Sequence, residues 1–382
     1  MATKETLRPE PEFLEEEANA AALEELVRGG DVIATPLWKI RLRLLRRSFS
    51  QNWGLFKESK MGIVGLIIIA IFGLMAVAHP ILMNTVWDPR VYHPETGYDA
   101  VTTDYTIVED GTVTDPLTEM EITEARIELN PNIRVGQTYS IPTQPAPPTF
   151  DGDHPHYLGT DPLGRDIFSQ LLYGSRAAFL LGFVAAFTTV FIATTIGAIA
   201  AYYGGAIDGF FMRFADLILL MPLLPLLIVL SAVIQINMVL LGILIGILGG
   251  FGAEAIVLKS QALSIRVKSY IDAARVAGGG DSHIIFRHIV PNVLPLSFLY
   301  MMFGVTGAIG LEATLSFFGL LNVPMSWGIM INTAQSQGYL LSGTAYWWLL
   351  FPAGLAVSIL AFAFFIVGRG MDEVINPRLR AR

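Results

Sequence analysis

Six apolar runs, each long enough to cross a bilayer as a helix, dominate this sequence. They fall at roughly 61–83, 176–201, 213–235, 238–258, 293–320 and 346–368. A helix needs about 20 mainly apolar residues to span the hydrocarbon core, and within lipid it satisfies its own backbone groups. The pattern predicts an all-α polytopic membrane protein with about six transmembrane helices. Composition agrees. The 382 residues are 53% hydrophobic and 15% charged, whereas a soluble domain carries about 25% charged residues. The chain has no cysteine, which excludes disulfides, thiol chemistry and thiolate metal sites. Glycine is frequent within the runs, as at Gly242, Gly246, Gly249 and Gly250. Small residues let transmembrane helices approach closely.

The charges orient the helices. Residues 1–36 are acidic, with the run Glu15-Glu16-Glu17, and read as a tail with a marginal helix around 18–27. A basic stretch follows: Lys39, Arg41, Arg43, Arg46, Arg47, Lys57 and Lys60. It reads either as an amphipathic helix on the membrane surface or as a plain positive flank. Both readings place 1–60 in the cytoplasm. The first transmembrane helix is 61–83. Residues 84–157 are acidic and contain three arginines, Arg90, Arg126 and Arg134, which predicts an extracytoplasmic insertion. Within it, Tyr105-Thr-Ile-Val108 and Thr112-Val-Thr114 flank Glu109-Asp-Gly111, a hairpin pattern. Residues 158–368 form the core with five helices, and 369–382 a basic cytoplasmic tail. The loop between the fourth and fifth spans is also basic. Both termini are therefore expected in the cytoplasm of a multi-pass cell (inner or plasma) membrane protein.

That loop, about 266–291, holds the most specific pattern. It reads Tyr270-Ile-Asp-Ala-Ala-Arg-Val-Ala-Gly-Gly-Gly280, then Asp281-Ser-His-Ile-Ile-Phe-Arg-His-Ile-Val-Pro-Asn292. Val267, Ile271, Ala274 and Ala277 share a helical face. The three glycines end that helix, Asp281 or Ser282 can cap the next, and Pro291 and Pro295 lead into the fifth span. Such a helix pair fits either a surface that docks in another protein's groove or an ordinary connector.

Here the chain resembles a family. Asp272-Ala273-Ala274, then Gly278, then Pro291 is similar to the EAA motif of ABC importer permeases, with Asp272 in place of the usual Glu and Val290 in place of Leu. His156-Tyr-Leu-Gly-Thr-Asp-Pro-Leu-Gly-Arg-Asp-Ile-Phe-Ser169 resembles the HxLGTDxLGRDxxS segment of the dipeptide/oligopeptide/nickel permeases, C-type subunit. Tyr203-Gly-Gly-Ala-Ile-Asp208, Met212-Arg-Phe-Ala-Asp216, Leu315-Ser-Phe-Phe-Gly319, Ser326-Trp-Gly328 and Asn376-Pro-Arg-Leu-Arg380 continue the resemblance in order. The stretch Phe251-Gly-Ala-Glu-Ala-Ile256 departs from it, and the insertion 84–157 is longer than usual.

The resemblance implies a type I importer architecture and a permease subunit moving peptides. Its coupling loop would use Tyr270, Asp272, Ala273, Ala274, Gly278, Arg287 and Pro291. It implies four kinds of neighbour: a second homologous permease, two ABC ATPase subunits, an extracytoplasmic substrate-binding protein and the lipid bilayer. Nucleic acid is not among them. The chain would bind no cofactor and catalyse nothing itself, ATP and Mg belonging to the ATPases; no phosphate-binding loop is present in the sequence. Nickel complexes or oligosaccharides are alternative cargoes. A secondary transporter is the rival class, disfavoured because neither inverted repeats nor broken helices are evident.

The turn before the second span, with Gly159, Thr160, Asp161, Gly164, Arg165 and Asp166, suggests a capped, ion-paired structure. His154 and His156 read as surface-loop residues rather than metal ligands. Glu312 lies in an apolar run, where a charge costs at least ~2.5–3.5 kcal/mol. It is a candidate either for the pathway or for a hydrogen bond between helices. Glu254 sits near a helix end, within reach of water.

Overall fold

The computed structural model describes residues 53–99, 102–109, 112–114, 121–123, 138–142 and 144–375. The acidic tail, the helix around 18–27, the basic stretch up to residue 49 and the motif from Asn376 lie outside the described residues. Residues from Phe56 onward form one structural unit.

Helix α1 is Lys60–Thr85, with Ser59 as N-cap accepting the Gly62 N–H at 3.3 Å. Its outer stripe, Val64, Ile67, Ile71, Leu74 and Val77, is exposed. Its inner stripe, Gly62, Gly65, Phe72 and His79, is buried. A short helix α2, Pro89–Tyr92, follows. Among the described residues four strands come next: β1 (Thr102–Glu109), β2 (Thr112–Thr114), β3 (Glu121–Thr123) and β4 (Thr138–Pro142), in the antiparallel order β3-β2-β1-β4. The predicted hairpin is β1–β2, with Ile107 opposite Val113 and Glu109 opposite Thr112.

The second span is α3, Ile167–Tyr203, 37 residues without a break. The third and fourth apolar runs are broken, contrary to the reading of unbroken helices. α4 (Gly205–Leu220) and α5 (Leu223–Val233) meet at 82°, and α6 (Met238–Phe251) and α7 (Ala253–Arg266) at 47°. The first break has a local cause. Pro222 pushes the preceding residue out of the helical region, and Met221 is extended, with ψ 123°. The second break falls at Gly252. Among the described residues, four helical segments are long and apolar enough to cross a membrane, or six if each bent pair counts as one.

The close approach predicted for glycines holds between α3 and α6. A Cβ on Gly242 would lie 2.9 Å from Val184 Cγ1, one on Gly250 2.7 Å from Ile192 Cβ, and one on Gly246 would collide with Thr188. Two stripes spaced by four residues thus interlock, and dispersion contacts replace the hydrophobic drive that lipid removes.

After α7 come α8 (Ser269–Val276), α9 (Asp281–Ile284), a π-helical turn (Ile285–Ile289) and α10 (Val290–Phe317), with Pro291 in its first turn. Helix α11, Trp327–Ser336, was not foreseen, although Trp327, Met330 and Ala334 form its buried face. It precedes a 3-10 turn at Tyr339–Ser342 and α12, Trp347–Ile375. The largest buried cluster gathers Phe72 of α1, Ile309 of α10, Trp327 of α11 and Trp348 and Leu360 of α12.

Candidate functional site

Most of the residues singled out in the sequence fall into two groups, one at each end of α3, with Glu312 and Glu254 apart from both.

The first group is the α8–α9 loop. Ile271 anchors it, fully buried in one cluster with Tyr202, Ile265, Ile284 and Ile289. Around this anchor the loop is bare. Asp272, Ala273 and Gly278 are exposed and Ala274 half-buried, and Val276 is 90% exposed. Tyr270, Arg287 and Pro291 are also exposed. Asp272 pairs with Arg275 at 3.0 Å. The four-residue face does not form as expected. α8 begins only at Ser269, so Val267 lies before it and is 77% exposed. Ala277 is the C-cap and exposed as well.

The end of α8 follows from its glycines. Gly278 has φ +83°. The Gly279 N–H donates to Ala274 O at 2.9 Å, and the Gly278 N–H to Arg275 O at 3.0 Å. These are the paired bonds of a Schellman cap, which asks for a left-handed residue at the Gly278 position. Asp281 does not cap α9: Gly280 holds that position and no side chain caps the helix. The Asp281 carboxylate instead accepts the Tyr202 hydroxyl at 2.7 Å, and the Arg275 guanidinium sits 5.9 Å from the centre of the Tyr202 ring. Arg266 Nη1 donates to Ala201 O at 2.8 Å, one residue away. Tyr202 was missed in the sequence because its partner is 79 residues distant; its one signal was adjacency to the Tyr203 motif.

The second group surrounds the start of α3. Asp166 is the N-cap, its Oδ1 accepting the Ser169 N–H at 2.6 Å. Asp161 Oδ1 accepts the N–H groups of Leu163 and Arg165, while Oδ2 takes Arg165 Nε at 2.6 Å and Gln170 Nε2 at 2.9 Å. Gly159 and Gly164 have φ +77° and +78°. Thr160 accepts the Ala146 N–H on its hydroxyl and the Trp348 indole N–H on its carbonyl. This is the capped, ion-paired turn predicted.

His156 is not a surface-loop residue. It is 1% exposed, with Nδ1 at 2.8 Å from Asp166 and Nε2 at 3.2 Å from Asp99. Burial alone would lower its pKa. Hydrogen bonds and charge from Asp166 and Asp99 outweigh burial and raise it above the ordinary imidazole value. Tyr92, whose hydroxyl donates to Pro155 O at 3.0 Å, is pushed up to about 12 by burial and then by Asp166. Asp99 precedes β1 and Gln144 follows β4, and the two are joined by a 3.1 Å hydrogen bond. The sheet is therefore rooted on the same turn. Among the described residues no cluster of three His, Asp or Glu is placed to hold a metal.

Glu312 is 3% exposed and accepts the Ser316 hydroxyl at 2.6 Å. Ser326, the N-cap of α11, donates to Ser316 at 3.3 Å. A Cβ on Gly328 would meet Ser316 Cβ at 2.5 Å and Ala313 O at 2.7 Å. The carboxyl thus belongs to a polar seam joining α10 to α11. Glu254 lies in the first turn of α7, where the helix dipole favours an acid.

The family described as binding-protein-dependent transport system inner membrane component matches residues 193–381. An oligopeptide transport system permease protein (OppC) of Haemophilus influenzae is 36% identical over 237 residues, 62% of this chain and 74% of that protein. A dipeptide transport system permease protein (DppC) of Bacillus subtilis is 33% identical over 66% of this chain and 76% of its own length. A dipeptide transport system permease protein of Alkalihalophilus pseudofirmus is 29% identical over 340 residues, 88% of this chain and 90% of that protein.

Proposed function

The chain belongs to the family of binding-protein-dependent transport system inner membrane components, and from that premise we propose that it is one permease subunit of an ATP-driven importer of peptides. It is a multi-pass inner membrane protein of a transport family. The relatives named for oligopeptide and dipeptide transport support the cargo. A second homologous permease completes the pathway, two ABC ATPases supply ATP hydrolysis, and an extracytoplasmic binding protein delivers the peptide. Both termini and the α8–α9 loop lie in the cytoplasm, in keeping with the basic residues flanking α1 and in the loop. The β1–β4 insertion lies outside, over the start of α3.

One observation carries the coupling role. The α8–α9 helix pair exposes Asp272, Ala273, Val276 and Gly278 while Ile271 is buried beneath them. A rigid pair with small residues at its surface lets a groove of another protein come close to the backbone. ATP binding closes the ATPases, which carry the docked pair with them, and the cavity between the two permeases changes the side to which it opens. The two broken helix pairs would also suit a secondary transporter. The exposed pair has no role in that class.

The test is Ala274→Trp in the complete transporter. The indole holds the two surfaces apart without touching an apolar span. The variant should insert normally and lose the co-purifying ATPase. Full retention of the ATPase would show the pair to be an ordinary connector.

A further inference from the structure

We propose that Tyr202 is a positioning residue that ties both helices of the α8–α9 loop to the end of α3, and that this tether carries movement of the loop into the bundle. The proposal rests on the reading of the loop as the ATPase contact.

Tyr202 stands in the last turn of α3 and is 8% exposed. Two loop helices meet on it by different chemistry. From α8, Arg275 lies 5.9 Å from the ring centre. From α9, Asp281 accepts the hydroxyl at 2.7 Å. A phenol alone among side chains offers an electron-rich face and an O–H donor at its far end. α8 and α9 are joined through 277–280, where a Cβ on Gly278 or Gly280 would meet nothing within 4 Å. The apolar contacts of Ile271 and Ile284 hold the loop on the bundle but are non-directional. The Tyr202–Asp281 bond is directional and sets the register.

The helix that receives this bond suits transmission. α3 runs 37 residues without a break, about 55 Å at the helical rise. At its far end Asp166 caps it within the His156 network. Near Tyr202, Arg266 of α7 binds Ala201 O, and Lys259 of α7 lies 2.5 Å from Asp208 of α4. The neighbouring paths through α4–α5 and α6–α7 contain the 82° and 47° bends. α9 runs unbroken into α10 as Asp281–Phe317, but of the two unbroken helices it is α3 that carries the Asp166 cap at its far end. α3 therefore links the loop to the insertion root by one continuous element.

Tyr202→Phe removes the hydroxyl and keeps the ring beneath Arg275. In the complete transporter reconstituted in liposomes, the ATPase should co-purify as in the wild type. The kcat of ATP hydrolysis stimulated by the substrate-binding protein should fall about tenfold, the scale of a hydrogen bond to a charged group, at unchanged KM for ATP. Asp281→Ala should reproduce the loss and Asp281→Asn, which keeps an acceptor, should restore most of it. The double variant Tyr202→Phe/Asp281→Ala should be no worse than the weaker single variant. Wild-type stimulation in Tyr202→Phe, losses that multiply in the double variant, or loss of the ATPase itself would each overturn the tether. Ala274→Trp separates the two readings. If it keeps the ATPase, the docking surface is misassigned. If it sheds the ATPase while Tyr202→Phe behaves as wild type, docking stands and the tether alone fails.

Discussion

Replacing Gly278 should weaken the coupling loop by a graded amount that depends only on backbone conformation. Its φ is +83°, and a Cβ there would meet no atom within 4 Å. Steric collision therefore contributes nothing, and the whole cost lies in the left-handed conformation. For an ordinary L-residue that is roughly 1–2 kcal/mol, or about five- to thirtyfold in the population of the correctly closed loop. Asparagine tolerates the region and should cost least. Alanine should be intermediate, and β-branched valine worst. If the loop opens, the Gly279–Ala274 and Gly278–Arg275 bonds of the cap go with it, and α9 loses its fixed angle to α8. The assay is ATP hydrolysis by the purified complex as a function of added ATPase subunit. The apparent affinity should fall in the order Gly278, Asn, Ala, Val, with insertion into the membrane unchanged. Equal affinity across the series would show that the Schellman cap does not shape the docking surface.

The His156 bridge makes stability depend on pH. Its folded pKa is raised, so the imidazolium contributes stability that is complete below the unfolded value of about 6.5 and is lost as pH rises through the folded value. His156→Gln leaves Asp166 buried without its cation, a loss of about 3–5 kcal/mol for a broken buried pair. The melting-temperature gap to wild type should be widest near pH 6 and narrow as pH rises; a constant gap refutes the assignment. Gly246→Val drives a side chain into Thr188 across the α3–α6 seam and should lower the melting temperature in detergent, overpacking of this kind costing about 1–3 kcal/mol. Gly73→Ala, with nothing within 4 Å of its Cβ, is the control and should not lower the melting temperature, since alanine suits a helix interior better than glycine.

Much of this architecture was legible in the chain, and the failures have physical causes. Apolar length alone located the spans, because lipid forces each run to satisfy its backbone internally. The 82° bend was hidden in such a run. Pro222 was visible, but the apolar residues around it read equally well as one helix. Gly278 could be assigned from composition, since a helix that stops in three glycines closes through one of them. Asp281 could not, because a cap at the next residue and a bond to Tyr202, 79 positions away, look alike in sequence. His156 failed for a related reason: besides Asp166 at 2.8 Å, its second carboxylate is Asp99, 57 positions earlier. The Ser316–Ser326 link beside Glu312 was not legible, because the two hydroxyls converge only once α11 folds back on α10.

The most direct test of the coupling assignment uses the absence of cysteine in the chain. Ala273→Cys places one thiol on the exposed face of α8. A bifunctional maleimide–amine reagent applied to the assembled transporter should join this thiol to an ATPase subunit. An impermeant maleimide added outside intact cells should leave it unlabelled. Labelling from outside, or a cross-link to the substrate-binding protein in place of the ATPase, would contradict both the orientation and the role of the loop.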